Sequence, residues 1–144
     1  AGLTNVAKEV MLQKLGPPAA SLPIVGNTLY FCGGATEADS HATGFSEPLV
    51  HMFNKDGHTI ARQLGKEWDR IASGRTVALV LGDSLGDASM AEGLVGFDAV
   101  LKVGFLNEPP GARQQSLLPE YEGAFDALVL GDGPMDFVLE LLGA

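Results

Sequence analysis

The stretch Thr76-Val77-Ala78-Leu79-Val80-Leu81 is apolar at odd and even positions alike, and it runs directly into Gly82-Asp83-Ser84-Leu85-Gly86-Asp87. A strand apolar on both faces has no side to offer water, so it predicts a sheet covered by helices above and below, the habit of parallel α/β folds. The downstream sequence keeps that rhythm. A short helix is predicted over Ala88–Gly93, a strand over Ala99–Phe105, a helix around Arg113–Tyr121, a third strand over Ala127–Leu130 and a closing helix over Met135–Leu142. Strands alternating with helices imply right-handed crossovers and a doubly wound parallel sheet.

Upstream, Val6, Val10, Met11 and Leu15 lie at helical spacing, and Gly16-Pro17-Pro18 stops that helix, so Thr4–Leu15 is predicted helical. Leu22–Cys32 is rich in β-formers. The Gly/Ala/Asp/Ser-rich run that follows, up to Gly44, reads as an exposed loop or hairpin tip. A short strand is predicted at Leu49–Phe53, a turn at Asn54-Lys55-Asp56-Gly57, and a helix at His58–Ala72 with Ile60, Leu64, Trp68 and Ile71 on one face. With no internal repeat and no long linker, residues 1–144 are expected to form one domain, with a divergent loop or hairpin at 32–46.

Charge narrows the partners. Eighteen acidic residues oppose nine basic ones, for a net charge of −9, and no Lys/Arg cluster occurs anywhere. The basic footprint of a nucleic-acid binder is missing, so neither nucleic acid nor membrane is an expected partner. A small phosphorylated ligand is compatible with this charge, because one metal ion and one Lys reverse the local field. The single cysteine, Cys32, excludes an intrachain disulfide and a multi-cysteine zinc site. It points to a reducing compartment, and a cytoplasmic location is expected. Nothing approaches the roughly 18 consecutive apolar residues needed to span a bilayer.

In open α/β sheets ligands sit beyond the carboxyl ends of the strands, which is where Gly82–Asp87 falls. Asp83 and Asp87, four residues apart, can converge on one hard cation, and Gly82 and Gly86 allow the chain to turn tightly there. The bland reading is a Gly/Asp turn with Asp87 as a helix N-cap. The letters Gly82-Asp83-Ser84-Leu85 also match a serine-esterase signature with Ser84 as nucleophile. That chemistry needs a base, and the family's His lies downstream of the serine. His41, His51 and His58 all precede Ser84. Elsewhere, Trp68 reads as core, His51 as a packed strand histidine and Asp132 as a turn acid.

Three segments carry a more specific likeness: Gly44-Phe45 with Leu49-Val50-His51-Met52-Phe53-Asn54-Lys55, then Leu81 through Gly93, then Leu101-Lys102-Val103-Gly104-Phe105-Leu106-Asn107. Together they resemble the C-terminal half of the cytosolic pyrimidine 5′-nucleotidases, which are phosphatases of the haloacid-dehalogenase type. The opening Ala1-Gly2-Leu3 is similar to the Ala-Gly that follows the family's second-motif serine. The resemblance implies a partial haloacid-dehalogenase-type, Rossmann-like doubly wound sheet that lacks the first two core strands. In the family's strand order 5-4-1-2-3 this chain would supply strands 3, 4 and 5 and leave the central pair unfilled, which exposes edges and apolar surface.

The resemblance also implies roles. Asp83 would bind Mg²⁺ directly, with Asp87 holding the ion through water or orienting Asp83. Lys55 would offset charge on the nucleophile and on the transferring phosphoryl group, and Ser84, Gly82 and Gly86 would shape the loop around the phosphate. The implied substrate is a nucleoside 5′-monophosphate, hydrolysed through an aspartyl-phosphate. That intermediate forms on the first Asp of an Asp-x-Asp motif, and no Asp-x-Asp occurs in these 144 residues. The expectation is therefore a fragment, inactive alone, that requires a complementing N-terminal segment or self-association. The alternative is a non-catalytic metal-binding or assembly domain derived from the same fold.

Overall fold

The computed structural model describes residues 2–33 and 40–143. Its strands and helices run in the order α1 (Thr4–Leu15), β1 (Leu29–Cys32), β2 (His41–Phe45), α2 (Gly57–Leu64), α3 (Lys66–Ala72), β3 (Val77–Gly82), β4 (Ala99–Leu106), α4 (Ala112–Ala124), β5 (Ala127–Leu130) and α5 (Asp136–Leu142). The described residues also include the 3-10 helices Pro17–Ser21 and Leu85–Ala91. The chain divides into two compact units, 1–55 with 59–70 and 56–58 with 71–144.

In the first unit α1 keeps its expected bounds. Gly16, at φ 73, closes the helix by donating its N–H to Leu12 O at 2.9 Å, a conformation that glycine adopts without a Cβ penalty. Within the β-rich stretch only Leu29–Cys32 becomes a strand. It pairs antiparallel with His41–Phe45, so the run expected as a loop up to Gly44 contains the hairpin's return strand, while the tip at 34–39 lies outside the described residues.

The expected strand at Leu49–Phe53 does not form, because side-chain amides take the backbone groups a sheet ladder would use. Asn27 Oδ1 accepts the Val50 N–H at 2.7 Å and its Nδ2 donates to Val50 O at 2.9 Å. Asn54 Oδ1 accepts the His51 N–H at 2.7 Å and its Nδ2 donates to Leu49 O at 2.8 Å. Asn side chains commonly compete with secondary structure in this way. His51 is accordingly an exposed turn residue, not a packed one; its Nδ1 accepts the Phe53 N–H at 3.2 Å. The single helix expected at His58–Ala72 breaks at Gly65, whose φ of 54 leaves the helical region, and Trp68 on the second piece is half-buried rather than core.

The second unit holds the parallel sheet, in the order β3-β4-β5. Val77 pairs with Ala99 and Gly82 with Gly104, then Val103 pairs with Ala127 and Leu106 with Leu130. The three strands are immediate neighbours in chain order, and β3 lies at an edge of the sheet. The best-buried strand is β4, not the Thr76–Leu81 stretch: Val103 is 0% exposed, whereas Val77 on β3 is 60% exposed. β4 has a partner on each side, and β3 has one.

Against the sheet, Leu106, Tyr121 and Phe125 form a buried cluster joined by Ala88, Leu117 and Leu128. Gly104 is what lets α4 close on β4, since a Cβ there would stand 2.6 Å from Phe125 Cδ2 and 2.8 Å from Leu128 Cδ2. Among the described residues no helix is long and apolar enough to cross a membrane.

Candidate metal-loop site

The acidic loop leaves the carboxyl end of β3 and turns at once into the 3-10 helix Leu85–Ala91. Ser84 is its N-cap, extended at φ −130 and ψ 153, and Asp87 stands three residues on, at the acid position of a capping box. Asp87 is thus not the N-cap itself. Its carboxylate reaches back to the start of the loop, where Oδ2 accepts the N–H groups of Asp83 and Ser84, both at 3.1 Å. Asp87 is 7% exposed, so these charge-assisted bonds compensate its burial.

Gly82 serves this return more directly than by supplying a turn. A Cβ built there would overlap Asp87 Cβ and lie 2.9 Å from its Cγ, so only glycine allows the carboxylate to fold back. Gly86 contributes its carbonyl, which accepts the Ser89 hydroxyl at 2.7 Å.

Asp83 is bound from a second direction. The Tyr121 hydroxyl, carried by α4 from 38 residues away, donates to Asp83 O at 2.9 Å. Tyr121 is 9% exposed and its ring stacks on Phe125 with centroids 5.8 Å apart, so the donor is held by the core. Burial raises the Tyr121 hydroxyl above its ordinary 10.0, and the negative charges of Asp83, Asp87 and Glu108 push the same way. The hydroxyl therefore stays a donor throughout the neutral range. Sequence reading missed this residue. Its only local signal is membership of a helix, and nothing in the letters links it to a loop so distant.

The result is a loop whose main chain is held at both sides of Asp83 while the Asp83 residue itself is exposed. Ser84 is exposed as well. The donor set suits Mg²⁺, which takes one or two carboxylates and keeps several waters: Asp83 offers an exposed carboxylate, and Asp87 is committed through Oδ2 to positioning it. Among the described residues no group of three or more His, Cys, Asp or Glu is placed to hold a metal. Lys55 ends the first segment of the first unit; it is half-buried and immediately follows Asn54, whose side chain orders the turn. Gly82, Asp83, Ser84, Gly86 and Asp87 thus come together in one loop of the second unit, while Lys55 belongs to the first. Asp132, at φ 55, is a turn residue as expected, and Asn107 is exposed.

Known proteins resemble this chain along nearly its whole length. The family model described as Pyrimidine 5′-nucleotidase (UMPH-1) matches residues 1–144. A 7-methylguanosine phosphate-specific 5′-nucleotidase of Drosophila melanogaster is 32% identical over 99% of this chain and 40% of its own length. Its Homo sapiens counterpart in name is 30% identical over 99% of this chain and 43% of its own length. The crystal structure of cytosolic 5′-nucleotidase IIIB bound to cytidine superposes with a TM-score of 0.78 at 29% identity, covering 99% of this chain and 43% of that one. The chain spans about two-fifths of the length of these relatives. It is a member of the pyrimidine 5′-nucleotidase family.

Proposed function

We propose that the chain is the C-terminal part of a Mg²⁺-dependent 5′-nucleotidase that splits nucleoside 5′-monophosphates into nucleoside and phosphate. The observation that carries this reading is the Asp83 loop at the carboxyl end of β3, braced by Asp87 and Tyr121, in a chain whose relatives are named for 5′-nucleotidase activity.

In this reading Asp83 is the carboxylate that holds the ion, and Asp87 keeps Asp83 in place through its main chain. Mg²⁺, when bound, neutralises charge on the phosphoryl oxygens. Lys55 keeps the role that the family resemblance implies for it, offsetting negative charge on a phosphoryl group. Ser84, exposed at the N-cap, is a phosphate-positioning residue rather than a nucleophile. The attacking carboxylate, the first Asp of an Asp-x-Asp, is contributed from outside these 144 residues, and it would form the aspartyl-phosphate that water then cleaves. The proposed location is cytoplasmic, the proposed partners are a nucleoside monophosphate and the segment bearing that Asp, and the core is a partial haloacid-dehalogenase-type sheet.

Phosphate release tests the proposal. The 144-residue chain with Mg²⁺ is expected to release none from a pyrimidine nucleoside 5′-monophosphate or from 7-methylguanosine 5′-monophosphate. The same residues joined to an Asp-x-Asp segment are expected to turn over, with at least a hundredfold loss on Asp83→Asn. Robust turnover by the isolated chain, abolished by Asp83→Asn, would overturn the assignment of the nucleophile. The absence of any Asp-x-Asp favours one other reading, a non-catalytic metal-binding or assembly domain. It gains if the complemented protein binds Mg²⁺ through Asp83 yet hydrolyses nothing.

A further inference from the structure

Three hydrogen bonds converge on the main chain around Asp83. The Asp83 N–H and the Ser84 N–H are held by Asp87 Oδ2, both at 3.1 Å, and the Asp83 carbonyl is held by the Tyr121 hydroxyl at 2.9 Å. Two of these come from a residue four positions away in the same loop. The third comes from α4, and it ties the Asp83 peptide to a residue of the hydrophobic core.

The tie is stiff. The Tyr121 ring stacks on Phe125, Phe125 fills the space that Gly104 leaves open on β4, and Leu106 completes the cluster at 1% exposure. Ala88, from the acidic turn itself, packs on the same cluster. With its carbonyl fixed to α4, the peptide that carries Asp83 cannot swing without breaking a part-buried hydrogen bond.

We propose that Tyr121 is a positioning residue for Asp83: its hydroxyl clamps the Asp83 carbonyl so that the exposed carboxylate is preset to receive a divalent cation. This rests on the reading of Gly82–Asp87 as the metal loop. Preset geometry matters there because a ligand held by its supporting shell loses less freedom on binding, and supporting partners of metal ligands are commonly worth tenfold or more in affinity. The clamp also couples two elements, since anything that shifts α4 on β4 moves the Asp83 peptide.

The test compares the chain with Tyr121→Phe, which removes one oxygen and keeps the ring, and with Val138→Ala, a buried α5 substitution that serves as a general destabiliser. Amide hydrogen exchange is read at Asp83, Ser84 and Val103. Tyr121→Phe is expected to speed exchange at Asp83 and Ser84 about tenfold while Val103 stays protected, the size expected for loss of one hydrogen bond. Val138→Ala is expected to speed all three together.

A Tyr121→Phe pattern identical to that of Val138→Ala, or no change at the loop, would overturn the clamp. Mn²⁺ affinity, followed by water-proton relaxation, is expected to fall about tenfold in Tyr121→Phe and to vanish in Asp83→Asn. Unchanged Mn²⁺ affinity in Tyr121→Phe, with binding still lost in Asp83→Asn, would overturn the positioning role even if exchange speeds up. Mn²⁺ binding indifferent to Asp83→Asn would sink the metal-loop reading instead, and selective exchange would then leave the mechanical clamp standing without it.

Discussion

At the scale of single residues the acidic loop is a packing solution as much as a charge pattern. Asp87 folds back over Gly82 so closely that a methyl group there is excluded. Gly82→Ala is therefore expected to destabilise the chain by about 1–3 kcal/mol through overpacking and to release Asp87 from the Asp83 and Ser84 amides, measurable as a lower denaturation midpoint at unchanged slope. An Asp87→Ala change removes the shared acceptor and leaves two N–H groups without it, and a loss of about 1–3 kcal/mol is expected in the same experiment. Tyr121 makes a different prediction. Its proton is held more tightly folded than unfolded, so its contribution is complete below pH 10.0 and is lost as pH rises through the elevated folded value. In a Tyr30→Phe background, tyrosinate absorbance should titrate with a midpoint above 10.0, and stability should fall with it; a midpoint at or below 10.0 would count against the buried, acid-flanked hydroxyl.

At the scale of elements, legibility followed the locality of the signals. Thr4–Leu15 and Ala127–Leu130 were readable to the residue because Gly16-Pro17 and Gly131 end them within the chain's own letters. Leu49–Phe53 misleads because one of the amides that dismantle it, that of Asn27, acts from 23 residues away, while Asn54 at its end folds back on Leu49 and His51. Gly65 splits one helical face in two, although Ile60, Leu64 and Trp68 keep perfect spacing on either side of the break. Burial is equally non-local: β3 is apolar on both parities, yet β4 is more enclosed because it lies between two strands. The loop Gly82–Asp87 was legible as a candidate site, but Tyr121 was not, because its role depends on where α4 docks. That docking yields its own prediction. Phe125→Ala is expected to cost about 3–5 kcal/mol and to loosen the acidic loop along with α4, seen as faster exchange at Asp83.

At the scale of the whole molecule the chain brings one braced carboxylate loop and a half-buried Lys55 to a family of 5′-nucleotidases, over about two-fifths of the relatives' length. A nucleophilic Asp-x-Asp is not among its 144 residues, so the proposed chemistry divides between this chain and another segment. The acidic loop contributes what can be prepared locally: Asp87 and Tyr121 hold the main chain, and Asp83 is presented to solvent. The most direct test of that claim is a Mg²⁺ titration of the isotopically labelled chain, followed at the backbone amides of residues 82–87. Saturable shifts confined to this loop, abolished by Asp83→Asn and weakened by Tyr121→Phe, are the predicted result; a loop that does not respond to Mg²⁺, or that responds equally well with Asn at position 83, would contradict it.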